Sequence, residues 1–579
     1  MSVDINNPIS ILYPYGEEVS YKQLSSLSCH DLAMDVLCSN LAQAPKEDAL
    51  IMNVLSKLTT DTRVAEYRQK VFVDILNLPD LRKKMMELLD KVQYIKDFKT
   101  MKRGSSERMG LWDLLHKLDE INDYIECVEA MQECLGNAPL KSQGLIDLRE
   151  YVKAIYTDSF FAEMKADIKK IKAEASSVKS VTVGINVNER FEASSLGLIS
   201  INDTPFKKSG IVSNFADALK SKNKLHEGTE WDGDMHYTPV DEAGLGVDAI
   251  ADHLYDIYTK TSIAGVAMKN AERTTASVPE GDGVESSTFY LDKIVNKLLD
   301  TLVKKLRDTL SKYVNVAVVN ISKLIPEFVY YIRFAEFIEA NLKKDMPFCE
   351  ARILSDDDMK EGITMKARGL YNLKLAISGN HSEKIVYNDL DFDSNHTVYI
   401  LTGANRGGKT TITQAVGLLF VLAQGGIYVP ATSFEYKPVD GIYTHFPADE
   451  DKTMDLGRLG EECVRFKELY TEATGDSLML LNETFSTTSF EEGYYIARDS
   501  VRAILNKGIR TIYNTHMHKL AYDAEEMNKG EYKVKASSLI VKNEGANRSF
   551  KVEVAPPEGQ SFAKDIAEKY GVTYEMLTN

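Results

Sequence analysis

The chain has 579 residues, about four times the usual size of a domain, so several domains are expected. Hydrophobic residues make up 44% and charged residues 27%, which is ordinary for a folded protein and argues against extended disorder. Acidic residues outnumber basic ones by 86 to 69, and the formal charge of −17 disfavours binding of nucleic acid or anionic membrane over the whole surface. A local basic patch remains compatible with this charge.

Two features of the sequence bear on the compartment. No apolar run is long enough to span a bilayer, and the first residues lack the basic and apolar regions of a signal peptide, so a cytoplasmic protein without membrane contact is predicted. The cysteines form no CxxC pair, which indicates neither a disulfide framework nor a thiolate zinc site. We expect all six to be small buried hydrophobes: Cys29, Cys38, Cys127, Cys134, Cys349 and Cys463.

Residues 1–175 are predicted to form the N-terminal part of a helical core. From about Asp31 to Glu174 the apolar residues recur three and four positions apart, as in amphipathic helices. Two of these stripes are Val71, Ile75, Leu78 and Leu81, and Phe161, Met164, Ile168 and Ile171.

Residues 176–245 are predicted to form a small β-containing insert. The runs Val181–Val187 and Leu198–Ile201 are short, rich in β-branched residues and separated by polar residues, which is typical of strands. A helix is predicted near Val247–Met268, and the polar stretch Thr274–Gly283 is predicted to be a linker or a loop tip.

Residues 246–346 are predicted to return the chain to the helical region. The segment Phe289–Ile325 has neither Gly nor Pro and carries a heptad-like apolar stripe, so it predicts a continuous helix about 50 Å long. Such a rod suits a lever, and an ordinary long helix in a bundle is the alternative. The stripe consists of Leu291, Val295, Leu298, Leu302, Leu306 and Leu310.

Residues 347–579 are predicted to form an α/β domain. Apolar, strand-like runs alternate here with helical patterns, which favours a largely parallel sheet. The three clearest runs are Thr397–Leu401, Leu478–Leu481 and Thr511–Asn514.

A phosphate-binding loop follows the first of these runs. Residues 403–410 read Gly-Ala-Asn-Arg-Gly-Gly-Lys-Thr and fit the pattern G-x-x-x-x-G-K-[ST] between a strand and an amphipathic helix. Lys409 would reach the terminal phosphates of ATP, and Thr410 would offer a hydroxyl to Mg²⁺. A chance glycine-rich loop is the alternative, and the flanking strand and helix weigh against it.

The end of the second run carries two candidate catalytic groups. Glu483 follows the apolar strand directly and is predicted to be the general base that polarises the attacking water. The preceding position would normally hold an Asp in the Mg²⁺ shell, and here it is Asn482. An amide can accept a hydrogen bond from a water on the metal but brings no charge, so weaker Mg²⁺ binding or slower turnover is expected.

A histidine follows the third run. His516 stands just after the strand-like residues that end at Asn514. At the carboxyl end of a strand it could sense the γ-phosphate or the attacking water. An ordinary loop histidine is the alternative.

Taken together, these motifs resemble the ATPase domain of the MutS family of DNA mismatch-repair proteins. That family's P-loop has a characteristic Asn and a double Gly, matched by Asn405, Gly407 and Gly408, and its later G-x-[FY]-V-P-A strand resembles residues 425–431. Residues 483–493, 515–516 and 559–563 resemble the Walker B and D-loop stretch, the Thr-His pair and the late G-x-S-[YF]-[GA] segment, in the family's order. Residues 67–71 and 78–81 are similar to its helical core.

The resemblance implies a fold and a set of site residues. The fold is a C-terminal α/β P-loop NTPase domain of the ABC/MutS type, with a long-helix lever or core domain and a small β-containing insert that could act as a clamp. Glu483 and His516 would be catalytic, and Mg²⁺ would be held by Thr410 and, through water, by Asn482. Nucleotide contacts are implied for Ile385, Gly403, Asn405, Gly407, Gly408, Lys409, Thr410 and Thr411.

Several positions depart from the family pattern. The signature serine that reaches the γ-phosphate of the partner subunit is missing, and Gly457 is the nearest residue to it; main-chain N–H groups of Gly457 and Gly460 could act in its place. Ile385 stands where an aromatic ring usually stacks on adenine, so plain apolar contact is expected. The N-terminal mismatch-reading domain, with its Phe-x-Glu motif, and the connector domain are expected to be absent.

The function expected from this resemblance is a MutS-like ATPase that couples ATP binding and hydrolysis to DNA binding, as a homodimer with composite ATP sites. Contact with the DNA backbone or DNA structure is expected, and a solvated lysine face is the alternative for the basic clusters. The other class of function is a nucleotide-switched protein scaffold with poor hydrolysis and no DNA binding; an ABC transporter subunit is disfavoured by Asn405. The lysines are Lys165, Lys169, Lys170, Lys172, Lys179, Lys207, Lys208, Lys220, Lys222 and Lys224.

Overall fold

The computed structural model describes residues 9–14, 16, 19–95, 111–175, 180–187, 189, 193–202, 275–277, 300–313, 324–343, 345–378, 385–404, 407–447, 457–544, 547–557, 572 and 574–578. The chain divides into two compact units. The P-loop unit comprises Ile9–Met86, Asn137–Arg149 and Lys323–Asn579. The insert unit comprises Met1–Pro8, Glu87–Gly136 and Glu150–Ser322.

The secondary-structure elements below are numbered along the described part of the chain. The helices are α1 (Ser26–Asp31), α2 (Met34–Leu41), α3 (Glu47–Leu55), α4 (Thr62–Asn77), α5 (Pro79–Ile95), α6 (Leu111–Gly136), α7 (Gln143–Thr157), α8 (Ser159–Ala175), α9 (Asp300–Tyr313), α10 (Ile325–Leu342), α11 (Asp356–Lys360), α12 (Leu373–Ser378), α13 (Lys409–Gln424), α14 (Gly457–Glu472), α15 (Phe490–Lys507), α16 (His518–Tyr522), α17 (Ala524–Met527) and α18 (Tyr574–Thr578). The strands are β1 (Lys22–Gln23), β2 (Lys57–Leu58), β3 (Ser180–Val187), β4 (Ala193–Asn202), β5 (Thr275–Ser277), β6 (Ala351–Ile353), β7 (Met365–Leu370), β8 (Asn388–Phe392), β9 (Val398–Thr402), β10 (Ser433–Tyr436), β11 (Ile442–His445), β12 (Leu478–Asn482), β13 (Arg510–Asn514), β14 (Ala536–Glu544) and β15 (Asn547–Val554).

The P-loop unit is built on a six-stranded sheet with the order β11-β12-β13-β9-β14-β15. Five neighbouring strands, β11, β12, β13, β9 and β14, run parallel to one another. The edge strand β15 pairs antiparallel with β14. Every residue of β9, β12 and β13 is buried, as expected for central strands covered on both faces. The three predicted runs thus form adjacent strands, and their carboxyl ends meet at one edge, where parallel sheets bind ligands.

The N-terminal helices are part of this unit. Helix α10 contacts α3 and α4, and Arg333 on α10 makes a buried two-bond pair with Glu47 on α3, with N–O distances of 2.9 and 2.7 Å. Helix α13 is buried along nearly its whole length. A Cβ at Gly417 on α13 would lie 2.4 Å from a side-chain carbon of Leu32, so glycine permits this close approach. Helices α1 to α4 therefore belong with the P-loop, in the same compact unit.

A second sheet of the P-loop unit has four strands in the order β6-β10-β7-β8. Strand β10 pairs parallel with β6 and antiparallel with β7, and β7 pairs antiparallel with β8. Strand β8 leads the chain towards β9, and thereby towards the P-loop.

The insert unit contains α6, α8 and α9 and a three-stranded antiparallel sheet in the order β3-β4-β5. The predicted helical stripe on α8 is buried at all four of its residues. The strands predicted at Val181–Val187 and Leu198–Ile201 are present as β3 and β4, which is longer than the predicted run.

The prediction that Thr274–Gly283 is a linker or a loop tip was wrong over Thr275–Ser277. These residues form β5, and Ala276 pairs with Leu196 on the edge of β4 that β3 leaves open. Three residues without Gly or Pro can take an extended conformation when an open strand edge supplies hydrogen bonds. A prediction from local composition does not consider a strand edge that lies elsewhere in the sequence, so it missed β5.

Other predictions are only partly covered. Within Phe289–Ile325 the structure describes α9 over Asp300–Tyr313 and the start of α10, and the remainder of that range lies outside the described residues, as does the predicted helix at Val247–Met268. The two compact units also divide the chain differently from the predicted segments 1–175, 176–245, 246–346 and 347–579, because residues 9–86 join the P-loop unit.

None of the six cysteines, all of which lie in the described residues, forms a disulfide. Cys29, Cys38, Cys127 and Cys134 are buried, whereas Cys349 and Cys463 are half-buried. None of the helices in the described ranges is long and apolar enough to cross a membrane.

Candidate nucleotide site

The P-loop connects β9 to α13. Gly403 has a φ of 142° and Gly408 a φ of 93°, both in the region that favours glycine. A Cβ at Gly407 would lie 2.8 Å from the main-chain oxygen of Ala404, so the turn also needs glycine there. Asn405 and Arg406 lie outside the described residues, and the predicted contact of Asn405 with nucleotide stays a prediction.

Lys409 begins α13 and is only 5% exposed. Its Nζ donates to the main-chain oxygens of Gly403 and Ala404, at 3.1 and 3.2 Å. Burial lowers the pKa of Lys409, and the nearby carboxylate of Glu483 opposes that shift. The ammonium group therefore donates to neutral carbonyl oxygens inside the loop. The charged oxygens of a phosphate are stronger acceptors and could take the place of these carbonyls.

Thr410 and Asn482 meet on one side of the loop. Thr410 Oγ1 donates to Asn482 Oδ1 over 3.0 Å, and Asn482 is buried at the end of β12. A hydroxyl and an amide oxygen are oxygen donors of the kind Mg²⁺ prefers, so the residues present fit this metal. No group of three or more His, Cys, Asp or Glu side chains is placed to hold a metal within the described ranges.

Thr411 contributes to the loop through its main chain. Its carbonyl oxygen accepts a hydrogen bond from Asn372 Nδ2 over 2.8 Å, which fixes the first turn of α13 against the segment before α12. Its side chain is half-buried. The direct nucleotide contact predicted for Thr411 stays a prediction.

Glu483 follows β12 in a left-handed conformation, with a φ of 54°. A non-glycine residue in this region is uncommon and costs free energy. The turn is held because the amide of Glu483 donates to the main-chain oxygen of Asn514 on the neighbouring strand, over 2.8 Å. The chain thereby turns sharply at the residue predicted to be the general base.

His516 contacts Glu483 directly. Its Nε2 lies 2.6 Å from Glu483 Oε1, and this hydrogen bond, followed by the charge of His516 and that of Lys409, lowers the pKa of Glu483 despite partial burial. Thr515 is fastened to β9, because its amide donates to the main-chain oxygen of Leu401 over 3.0 Å. The structure thus brings together Lys409, Glu483 and His516 from the ends of three adjacent strands.

Ile385, predicted to contact the base, is half-buried in the segment before β8. Asn388, three residues later, donates from Nδ2 to the main-chain oxygen of Phe550 over 3.1 Å. The sequence analysis did not identify Phe550. Its backbone has a φ of 57° and its side chain is exposed. Its ring lies beside the P-loop, because a Cβ built on Gly408 would be 3.3 Å from Phe550 Cδ1. The segment of Ile385 is therefore linked to an apolar ring beside the P-loop.

Gly457 and Gly460 lie in the first turn of α14. Gly457 is exposed, has a φ of 66°, and a Cβ there would meet nothing within 4 Å. The first N–H groups of a helix lack partners within it and favour negative charge. The predicted action of both glycines on a partner subunit stays a prediction.

Two further residues of the site were missed by sequence reasoning. Asn514, at the end of β13, donates from Nδ2 to Asn482 Oδ1. His445, at the end of β11, has its Nδ1 3.1 Å from the hydroxyl of Thr484, the residue after Glu483. Burial, and then the charge of Arg465, lower the pKa of His445 to about 4, so it is neutral at neutral pH. Polar residues at the ends of otherwise apolar strands were the signal that could have revealed both.

Comparisons with known proteins agree with this geometry. A sequence model described as MutS domain V, a P-loop ATPase-type domain, matches residues 399–579, and one described as MutS2 N-terminal domain matches residues 60–340. A DNA mismatch repair protein MutS of Prochlorococcus marinus (strain MIT 9301) is 34% identical over 200 residues, covering 32% of this chain and 21% of that protein.

Two other relatives give a similar picture. A DNA mismatch repair protein MutS of Methanococcoides burtonii is 31% identical over 196 residues, 33% of this chain and 22% of its own length. An Endonuclease MutS2 of Thermus thermophilus is 27% identical over 192 residues, 33% of this chain and 25% of its own length. The matched part of the chain thus spans only about a fifth to a quarter of each relative. With the two family matches and the P-loop geometry, these findings show that the chain belongs to the MutS family.

Proposed function

We propose that this chain is a MutS-type ATPase that hydrolyses ATP in two-fold dimers and couples its nucleotide state to DNA binding. The observation that carries the proposal is the convergence of Lys409, Glu483 and His516, with Glu483 Oε1 2.6 Å from His516 Nε2. A cation for the phosphates, a carboxylate for the water and a group that orients the carboxylate are the parts that phosphoryl transfer to water requires.

Each residue has a role that follows from its chemistry. The glycine loop and the start of α13 receive the phosphates of ATP, and Lys409 places its charge on the terminal ones. Glu483 orients the attacking water and accepts its proton, and His516 holds the Glu483 carboxylate in position by donating from Nε2. Ile385 and the ring of Phe550 offer apolar surface to the base.

Mg²⁺ would be held by the Thr410 hydroxyl and by the polar groups around Asn482; when bound, it neutralises negative charge on the phosphates. Because Asn482 is an amide, it brings no negative charge to this side of the site. We therefore infer slower turnover and weaker Mg²⁺ binding than an aspartate at this position would give.

The dimer and DNA parts of the proposal rest on the family relationship and on two surface features. Gly457 leaves the first turn of the 16-residue helix α14 exposed, where it could receive the γ-phosphate of a second copy. On α8, Lys169 and Lys170 are exposed, and lysines of this kind could contact DNA phosphates without reading bases.

The test is ATP turnover by the purified full chain, with and without duplex, branched and mismatched DNA, beside the variant Glu483→Gln. We expect slow basal turnover, a change on addition of DNA, and a loss of at least about 100-fold in Glu483→Gln, since general-base catalysis contributes on that order. Thr471→Ala, on the exposed surface of α14, serves as the matched control and should keep parental turnover. If the parent binds ATP but neither hydrolyses it nor responds to DNA, a nucleotide-switched scaffold replaces this proposal.

A further inference from the structure

Asn514 and Asn482 are neighbours at the carboxyl ends of two central strands. In the parallel register of β12 and β13, Asn482 pairs with Asn514. Asn514 is 0% exposed and Asn482 is 7% exposed. Two uncharged amides are thus buried side by side next to the P-loop, in a place where most surrounding strand residues are apolar.

The hydrogen bonds of this pair occupy the oxygen of Asn482. Asn482 Oδ1 accepts from Thr410 Oγ1 over 3.0 Å and also from Asn514 Nδ2. The same Asn514 nitrogen lies 3.4 Å from Thr410 Oγ1. An amide oxygen has two acceptor positions, so Thr410 and Asn514 together use those of Asn482.

Asn514 also has an oxygen with no partner. Its Oδ1 is buried and accepts no hydrogen bond from the residues that the structure describes. A buried acceptor left without a partner is costly, and such groups in folded proteins usually have a functional cause or meet a water or an ion. The unused acceptor belongs to the amide group that touches Thr410, on the side of the site assigned to Mg²⁺.

We propose that Asn514 is a positioning residue for the Mg²⁺–ATP complex, which it serves by holding the amide of Asn482. Its N–H fixes Asn482 with Oδ1 towards the Thr410 hydroxyl, and its own Oδ1 is the acceptor that remains for a water on the metal side. A single carboxylate could accept both hydrogen bonds, one from the Thr410 hydroxyl and one from the water, because it has two oxygens. In this chain Asn482 accepts the first and Asn514 is left to accept the second. The inference deepens the proposed function and rests on it.

A functional consequence follows from the chemistry of the pair. Without Asn514, Thr410 is the one hydrogen-bond partner left for the Asn482 amide among the residues that the structure describes. The amide can then turn its nitrogen towards the hydroxyl. An amide nitrogen cannot accept a hydrogen bond, so the metal side loses an acceptor. The effect appears only when Mg²⁺ accompanies the nucleotide, because Lys409 and the loop bind the phosphates without help from Asn514.

The experiment measures the affinity of the full chain for a fluorescent, non-hydrolysable ATP analogue, once in Mg²⁺ and once in EDTA. The variants are Asn514→Ala, Asn514→Val, Asn482→Ala and the double variant Asn482→Ala with Asn514→Ala. Valine is included because it suits a strand and fills more of the space, so the result does not depend on one cavity. The matched control is Asn341→Ala, a buried asparagine on α10 that donates to the main-chain oxygen of Phe337 over 2.8 Å.

We expect both Asn514 variants to reduce the ratio of Mg²⁺ to EDTA affinity by about three- to tenfold, the usual effect of one buried hydrogen bond, with the EDTA affinity unchanged. The double variant should lose less than the product of the two single effects, because part of the action of Asn514 passes through Asn482. Asn341→Ala should keep the parental ratio.

Two results would overturn the inference. One is a parental ratio in both Asn514 variants; the other is a double variant that loses the product of the two single effects, which would mean independent action. Failure of the proposed function is distinguishable from both results. In that case the parent protein itself binds no nucleotide, either in Mg²⁺ or in EDTA.

Discussion

The guanidinium of Arg68 donates from Nη1 to the main-chain oxygen of Gln424, the last residue of α13, over 3.0 Å. Arg68 lies on α4 and is fully buried, and its Nε donates to the main-chain oxygen of Leu12 over 3.1 Å. The side chain of Gln424 in turn donates to Thr59 O and Val439 O, at 3.0 and 2.9 Å. Direct hydrogen bonds thus join the far end of the P-loop helix to the N-terminal segment, so a shift of α13 must move α4 or break these bonds.

The variant Arg68→Met is predicted to lower the free energy of unfolding by about 3–5 kcal/mol, because two buried carbonyl oxygens lose a charged donor. Urea denaturation of the full chain measures this loss. The control is Arg63→Met on the same helix, where an exposed arginine pairs with Asp61 and a change of at most about 1 kcal/mol is expected. Equal effects of the two substitutions would refute the assigned role of Arg68.

Glu327 gives the P-loop unit a pH dependence. It lies in the first turn of α10 and accepts from Ile11 N over 2.7 Å and from Ser10 Oγ over 2.9 Å. Burial raises the pKa of Glu327 to about 7, although these hydrogen bonds and the charge of Arg68 act in the opposite direction. An unfolded chain has a glutamate pKa of about 4.3. Between these values the folded protein keeps a proton that the unfolded chain has lost.

Stability is therefore predicted to fall as the pH rises from about 4.5 to 7, by up to about 1.4 kcal/mol per pH unit from this group. Glu327→Gln keeps the size of the side chain and removes the titration, so its stability should vary less over this range. Denaturation midpoints at four pH values between 5 and 8 measure the difference. The same slope in parent and variant would show that Glu327 does not titrate in this window.

Local motifs were sufficient to predict which residues the structure brings together at the centre of the candidate site. The pattern around Lys409 and the strand before Glu483 are short sequences whose chemistry depends on few neighbours, and the structure brings these residues together. Asn514 could not be predicted in the same way. The role that we propose for it depends on the register in which β12 lies beside β13, and no short sequence window contains both strands.

The same reason applies to the fold. The stripe on α8 predicts a helix because its spacing is local. The stripe of Val71, Ile75, Leu78 and Leu81 crosses from α4 to α5, because α4 ends at Asn77 and α5 begins at Pro79. The contact of Arg68 with Gln424 joins residues 356 positions apart, so no local pattern could show that residues 9–86 belong with the P-loop. Strand β5 was missed because its partner β4 lies far from it in the sequence.

Lys409→Ala is predicted to weaken ATP binding at least about tenfold, because the site loses its charged donor to the terminal phosphates. The chain should remain folded, since among the described residues the Nζ of Lys409 donates only to carbonyl oxygens of its own loop. Titration calorimetry measures the affinity, and Lys437→Ala, a surface lysine paired with Asp476, is the control. If the Lys409 variant bound ATP as tightly as the parent, the assignment of Lys409 to the nucleotide site would be wrong.

ATP is predicted to promote a two-fold dimer in Glu483→Gln, which should bind ATP and hydrolyse it slowly. The exposed first turn at Gly457 on one copy would meet the γ-phosphate held by Lys409 on the other. Sedimentation velocity with ATP over a range of protein concentrations detects the dimer. A second chain carrying both Glu483→Gln and Lys409→Ala is the control and should not respond to ATP; a monomer at all concentrations in Glu483→Gln would contradict composite sites.

The last prediction concerns DNA and separates two kinds of lysine on α8. Lys165 forms an ion pair with Glu129 on α6, and Lys172 lies 3.2 Å from Asp119 on the same helix. Among the side chains that the structure describes, no acid lies within ion-pair distance of Lys169 or Lys170, and both are exposed. If α8 contacts DNA, these two lysines should account for more of the binding than the paired ones. The predicted contacts of Lys179, Lys207, Lys208, Lys220, Lys222 and Lys224 lie outside the described residues.

Each lysine that contacts a phosphate of duplex DNA adds about 0.9 to the steepness with which log affinity falls with log salt concentration. Replacing Lys169 and Lys170 by Gln is therefore predicted to reduce that slope by about 2 and to leave basal ATP turnover unchanged. The charge-matched control replaces Lys360 and Lys529, two exposed lysines in surface ion pairs of the P-loop unit, and should keep the parental slope. Fluorescence anisotropy with a labelled branched duplex at several salt concentrations gives both slopes. Identical slopes in the two double variants would show that Lys169 and Lys170 form a solvated face, with any DNA contact made elsewhere on the chain.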